Sequence, residues 1–207
     1  MIVFEFINTM KEFGIFSIAD IELLYPGFDK RRLFEWQKKG YIIKLRNEWY
    51  SLPEFLEEPY SSWIIANMAH EPSYISLESA LNYYGLIPEG VFMTTSVTTK
   101  RPLRIEMAGH NYSYACIKKE LYGGYHLIKA DRYKRKIRIA DFERTIVDFF
   151  YFRSNYKTLR AISGLRFIEP VLRENLKIDR LYQYLEEFKN KELEGRVRKM
   201  LKIYANA

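Results

Sequence analysis

Phe16-Ser17-Ile18-Ala19-Asp20-Ile21, followed by Pro26-Gly27 and then Phe28-Asp29-Lys30-Arg31-Arg32-Leu33-Phe34-Glu35-Trp36-Gln37-Lys38-Lys39-Gly40, is the stretch whose reading decides the fold. Ser17 with Asp20 three residues on has the spacing of a capping box, in which each member satisfies a backbone N–H of the other. Phe16 before the cap and Ile21 inside the first turn have the spacing of a hydrophobic staple. Pro26-Gly27 ends this helix. Asp29 is a good N-cap for a second one, and Phe28 can staple onto Leu33. Leu33, Trp36 and Gly40 recur at i, i+3 and i+7, so one face packs inward. The opposite face offers Lys30, Arg31, Glu35, Lys38 and Lys39. After Gly40 the period falls to two in Tyr41-Ile42-Ile43-Lys44-Leu45, and Trp49-Tyr50-Ser51-Leu52 follows. Arg46-Asn47-Glu48 supplies the turn, because Asn tolerates a positive φ. Helix, turn, basic helix and ribbon, in this order, predict a winged helix-turn-helix over residues 1–54. Val3, Phe6, Ile7, Met10 and Phe13 form a helical stripe that should pack beneath the helix pair.

Charge is concentrated where such a module meets a polyanion. The first 52 residues hold eight Lys/Arg and seven Asp/Glu, yet residues 29–46 hold seven bases against two acids. Lys30, Arg31, Arg32, Phe34, Lys38 and Lys39 are therefore the candidate DNA-binding residues of the second helix. Lys44, Arg46 and Asn47 are those of the ribbon, placed on the backbone or minor groove. The plainer alternative is a solvated helix face on a module that binds protein.

The whole chain has 207 residues, 48% of them hydrophobic, and a net charge of +7, of which residues 53–207 carry +6. That length leaves room for a second core beyond the first module. Charged residues interrupt every apolar stretch, so no membrane span is expected. The N-terminus lacks a basic n-region and a small-residue cleavage site, and the single Cys116 excludes an internal disulfide. A cytoplasmic location is the expectation. Pro53 to Pro59, with three glutamates, is the candidate linker. Residues 60–207 then read as an α+β domain. Its expected helices are at 63–68 and at Leu77–Tyr84, closed by Gly85, and its expected strands are at 74–76, 91–93, 104–107, 112–117, 125–129 and 136–140. From about Asp141, an N-cap, the chain reads helical, with amphipathic stripes in Leu181–Phe188 and Leu193–Tyr204. The predicted class is α+β: an N-terminal winged helix-turn-helix, then a mostly antiparallel sheet and a helical C-terminal third.

Two segments of that second part carry a resemblance. Ser76-Leu77-Glu78-Ser79-Ala80-Leu81-Asn82-Tyr83-Tyr84-Gly85-Leu86 resembles the S-x-x-S/A-A-L-x-Y-H-G-L stretch of AbiEi-type antitoxins, and Ile139-Ala140-Asp141-Phe142-Glu143-Arg144-Thr145-Ile146-Val147-Asp148 resembles their V-A-D-P-E-R-T-L-L-D stretch. Tyr84 stands where His is usual and Phe142 where Pro is usual. The resemblance implies an autorepressing transcriptional regulator that is also the antitoxin of a type IV toxin–antitoxin pair. It further implies a nucleotidyltransferase-like toxin as genetic partner without a stable complex, and repeats in the chain's own promoter as the DNA target. For the motif residues Tyr84, Gly85, Asp141, Glu143, Arg144 and Asp148, the residues themselves suggest scaffolding: Asp141 caps a helix and Arg144 can pair with Asp148 at i+4.

Enzymatic signatures are not found in the sequence. Glu143, Asp148 and Glu106 could in principle hold Mg²⁺ for a nucleic-acid enzyme, but no Asp-x-Asp or comparable pattern accompanies them. His70, His110 and His126 are scattered, and there is no phosphate-cradling glycine loop. Gly123-Gly124 reads as a hairpin turn. No catalytic residue, cofactor or metal is assigned. Lys129, Arg132, Lys134, Arg135, Lys136 and Arg138 form a second basic patch, read either as a charged edge strand that resists aggregation or as a further phosphate or docking contact. A winged-helix regulator whose second domain senses a small ligand remains a further alternative, although nothing in the sequence marks a pocket.

Overall fold

A computed structural model describes residues 3–130 and 135–205. The N-terminal part begins with α1 (Val3–Met10), β1 (Ile15–Ser17) and α2 (Ile18–Leu24), then α3 (Arg31–Lys38), β2 (Ile43–Arg46) and β3 (Trp49–Ser51). The capping box at Ser17 is present in both directions: Ser17 Oγ accepts from the Asp20 N–H at 3.1 Å, and Asp20 Oδ2 accepts from the Ser17 N–H at 2.8 Å. Replacing Ser17 by Ala should cost about 1 kcal/mol, read as a lower urea midpoint with unchanged slope. An unchanged midpoint would show that the cap contributes nothing.

Helix α3 starts one residue later than Asp29 as N-cap requires. Lys30 is the capping residue and already helical, while Asp29 Oδ1 accepts from the Arg31 N–H at 3.0 Å. Phe28 stacks on Phe6 and tilts against Trp36 instead of pinning to Leu33 alone. Phe6, Met10, Phe16, Ile21, Leu33, Trp36, Ile42 and Tyr50 close one core. The turn after β2 is as expected, with Asn47 at φ 49°. β3 lies between β1 and β2, antiparallel to both.

The segment read as a linker is a short helix, α4 (Pro53–Leu56), whose Phe55 is buried. Burying that ring ties the segment to the following part of the chain, so it does not behave as a spacer. There follow α5 (Ser61–Ala69), β4 (Ser73–Ile75), α6 (Leu77–Tyr83), β5 (Met93–Thr98), β6 (Leu103–Met107) and β7 (His110–Cys116). Next come β8 (Tyr125–Lys129), β9 (Lys136–Ala140) and α7 (Phe142–Phe152). The described strands form a six-stranded sheet in the order β6-β7-β5-β4-β9-β8. It is mixed: β6/β7, β5/β4 and β9/β8 are antiparallel, while β7/β5 and β4/β9 are parallel. Gly123-Gly124 is not a hairpin turn, because β7 and β8 lie at different places in the sheet.

Strand β5 runs further than expected: of 91–93 only Met93 belongs to it, and it continues to Thr98. Its Thr94-Thr95-Ser96-Val97-Thr98 run is buried. Two of its threonine hydroxyls bond to segments well removed along the chain: Thr95 Oγ1 donates to the Ser76 carbonyl at 2.7 Å, and Thr98 Oγ1 to the Pro72 carbonyl at 2.7 Å, whereas Ser96 Oγ is buried with no hydrogen-bond partner among the described residues. β-Branched Thr suits a pleated strand, but a polar run gives no apolar alternation to read.

Successive residues of the central strands serve opposite faces. Tyr74, Val97 and Ala140 join the core covered by α6, α7 and the C-terminal helices α8 (Leu159–Ser163), α9 (Glu169–Asn175), α10 (Ile178–Phe188) and α11 (Lys191–Tyr204). Ile75, Tyr112, Tyr114, Ile137 and Ile139 join the other, with Ile64 and Ile65 of α5. Ile15 and Phe55 belong to that second core, and Leu45 and Trp49 of the ribbon pack on it. The N-terminal part is therefore seated on one side of the large sheet. Among the described residues no helix is long and apolar enough to cross a membrane.

Candidate nucleic-acid interface

Burial of Leu33 and Trp36 fixes which side of α3 faces out. Arg31, Phe34, Glu35 and Lys38 then fall on one exposed stripe. The Arg31 side chain is 90% exposed, with Nε 3.0 Å from Asp29 Oδ1, and the guanidinium holds the Asp29 carboxyl below the usual carboxylate range. Lys30 Nζ lies 2.7 Å from Glu22 Oε1, and this hydrogen bond raises the lysine's pKa. Both are solvent-exposed pairs, worth little against a phosphate. Lys38 Nζ stands 4.6 Å from the centroid of the Phe34 ring, which is 61% exposed. Lys39, Lys44 and Asn47 are exposed, and Arg32 is half-buried.

Arg46 departs from its predicted place. Strict alternation would put Lys44 and Arg46 on one face of the ribbon. However, the register slips between them, Lys44 opposing Tyr50 and Arg46 opposing Trp49. Such a bulge re-aims a side chain. Arg46 is half-buried, its Nη1 is out of solvent with no hydrogen-bond partner among the described residues, and its charge counters the upward push that burial gives the Tyr114 phenol. It turns toward the large sheet, away from the exposed cationic face.

The second basic patch is also only partly a surface. Arg132 and Lys134 lie outside the described residues. Arg135 reaches the Ile15 carbonyl at 3.4 Å and Asp20 at 3.6 Å, so it joins the sheet to the N-terminal part. Arg138 donates to the Ser73 and Asn67 carbonyls and to Glu71. Lys129 and Lys136 are exposed on paired strands, and β8 is indeed the sheet edge. Two of the four described bases thus serve internal contacts.

The two motif segments converge inside the second part. Tyr84 Oη donates to the Ala140 carbonyl at 2.7 Å, and its ring meets Phe142 edge-on. Asp141 caps α7 through the Arg144 N–H at 2.8 Å and also receives Tyr184 Oη and Arg180. Glu143 accepts the Lys177 N–H at 2.8 Å. Arg144, wholly buried, donates to Asp148 Oδ1 at 2.8 Å, to Tyr74 Oη at 3.0 Å and to the Leu121 carbonyl. Asp148 Oδ2 receives Tyr74 Oη and Ser76 Oγ. Burial pushes the Asp148 carboxyl up, while Arg144 and the two hydroxyls pull it back. Every one of these carboxylates is occupied by a protein donor. Among the described residues no group of three or more His, Cys, Asp or Glu is arranged to hold a metal ion.

One feature escaped the sequence reading. A cleft of about 520 Å³ opens between α6, the loop before β5 and α7, walled by Leu81, Phe92, Phe149 and Tyr156. Arg153 grips Glu78 at its side through Nε at 2.6 Å and Nη2 at 2.8 Å. Its walls come from segments far apart in the chain, so no local pattern marks it.

Compared with known proteins, the chain matches no family model and no curated protein in sequence.

Proposed function

We propose that the chain is a DNA-binding transcriptional regulator whose N-terminal part is a winged helix-turn-helix. In this reading α3 is the helix that enters the major groove, and the β2–β3 ribbon is the wing. The observation that carries it is the open stripe of α3: Arg31, Phe34, Glu35 and Lys38 are exposed, beside Lys39, Lys44 and Asn47, although the ribbon's other side is seated on the large sheet. Clustered cations beside an unobstructed helix suit a polyanionic duplex. The resemblance of residues 76–86 and 139–148 to AbiEi-type antitoxins extends the reading to an autorepressing antitoxin of a type IV pair, with a nucleotidyltransferase-like toxin encoded nearby. The motif residues act there as a scaffold, and the chain is not an enzyme.

Gel-shift titration on the DNA upstream of its own gene tests the reading. Arg31→Ala should weaken binding by about 1–3 kcal/mol if the guanidinium reads a base. Lys44→Ala should weaken all sequences alike and shallow the salt dependence by about one unit of slope. Retention of full affinity by both variants would remove α3 and the wing from the interface. Growth rescue on coexpression with an adjacent nucleotidyltransferase tests the antitoxin role.

The cleft beside Arg153 favours a second reading, a regulator released from DNA by a small ligand. Its size falls within the range of ordinary ligand sites. Metabolite extracts added to the same titration would then dissociate the complex.

A further inference from the structure

Arg31, Phe34, Glu35 and Lys38 stand at i, i+3, i+4 and i+7, the spacing of a single helical stripe, and all four are exposed. Three of them carry charge. Phe34 is the exception: a large apolar ring, 61% exposed, in the middle of the face that would meet the groove. Lys38 Nζ sits 4.6 Å from the ring centroid, a cation–π contact one helical turn along. The cation stands over one face of the ring.

The major groove presents one apolar feature, the C5-methyl of thymine, and Phe is among the side chains that contact it. The neighbours fit base edges too: Arg suits the O6 and N7 of guanine, and Glu can accept from the N4 amino group of cytosine. Resting on the reading that α3 enters the major groove, we propose that Phe34 contacts the C5-methyl of a thymine and thereby sets the operator's sequence preference.

The experiment uses the full chain. Duplexes are selected from a random library, and each thymine of the selected site is replaced in turn by deoxyuridine, which removes only the methyl group. One replacement should weaken wild-type binding about fourfold, the worth of one buried methyl. Phe34→Ala, whose melting should match wild type because the ring is exposed, should bind the thymine site about fourfold more weakly and lose nothing further with uracil, a non-additive cycle. Phe34→Leu should keep part of the methyl sensitivity. Tight wild-type binding indifferent to every replacement would overturn the thymine contact and leave the DNA-binding reading standing. So would equal sensitivity of wild type and Phe34→Ala. Failure to select any duplex, or retention of single strands only, would overturn both.

Discussion

Asp148→Ala is expected to destabilise the folded chain by about 3–5 kcal/mol, the cost of leaving a buried charge without its counterion. Arg144 is fully buried, and its guanidinium has its counterion in Asp148, 2.8 Å away along α7. Removing the carboxylate also orphans the Ser76 hydroxyl and takes the acceptor from the Tyr74 hydroxyl, both of which donate to Asp148 Oδ2. The midpoint of thermal unfolding should fall by roughly 6–20 °C for a chain of this length. The double variant Arg144→Met/Asp148→Leu should regain much of the loss, since an apolar pair of similar volume removes both charges at once. A loss below about 1 kcal/mol in the single variant would mean that water reaches the pair, contrary to its burial. The same substitution should leave the exposed stripe of α3 unchanged wherever the protein is folded, because the network lies on the far side of the large sheet from the N-terminal part.

The second large effect is expected at Gly124, where Ala should cost about 2–4 kcal/mol, combining backbone strain with overpacking. Gly124 has φ +72°, and a Cβ there would stand 2.8 Å from Tyr184 Oη and 2.9 Å from Cγ and Cδ of Arg144. Neither neighbour can yield cheaply. Tyr184 Oη is held by Asp141 at 2.6 Å, and Arg144 is pinned by Asp148, Tyr74 and Leu121. Gly85 provides the comparison: its φ is +65°, but a Cβ there would meet nothing within 4 Å. Gly85→Ala should therefore cost only the backbone part, about 1 kcal/mol. Equal losses at the two glycines, measured by urea unfolding, would show that packing against Arg144 does not matter. Because Gly124 and Asp148 share Arg144, their combined variant should lose less than the two single losses together.

Both effects concern residues that the resemblance to antitoxins singled out or that lie against them. Asp141, Glu143, Arg144, Asp148 and Tyr84 hold the start of α7 to β4, β9, α6 and α10. The pairing of Arg144 with Asp148 was legible because i, i+4 neighbours meet on a helix whatever surrounds it. Tyr74 and Ser76 as its partners were not, since they lie more than 70 positions away along the chain.

Local periodicity and capping chemistry determined much by themselves. The box at Ser17 and Asp20, the positive φ at Asn47, the hairpin strands 125–129 and 136–140 and the two C-terminal amphipathic helices follow from interactions within a few residues, and the structure shows them. The exposed stripe of α3 was readable for the same reason: Leu33 and Trp36 fix its buried side. Only the tertiary structure decided the rest. A polar strand at 94–98 becomes central because the distant Ser76 and Pro72 carbonyls accept its threonine hydroxyls. A supposed linker becomes a helix because Phe55 finds a core. Arg46 turns inward because a bulge, which depends on how two strands pair, reverses its side. Short-range terms act between neighbours in the chain and leave their spacing in the sequence. Sheet order, register and the seating of one part on another are set by contacts between residues far apart, and those leave no spacing to read.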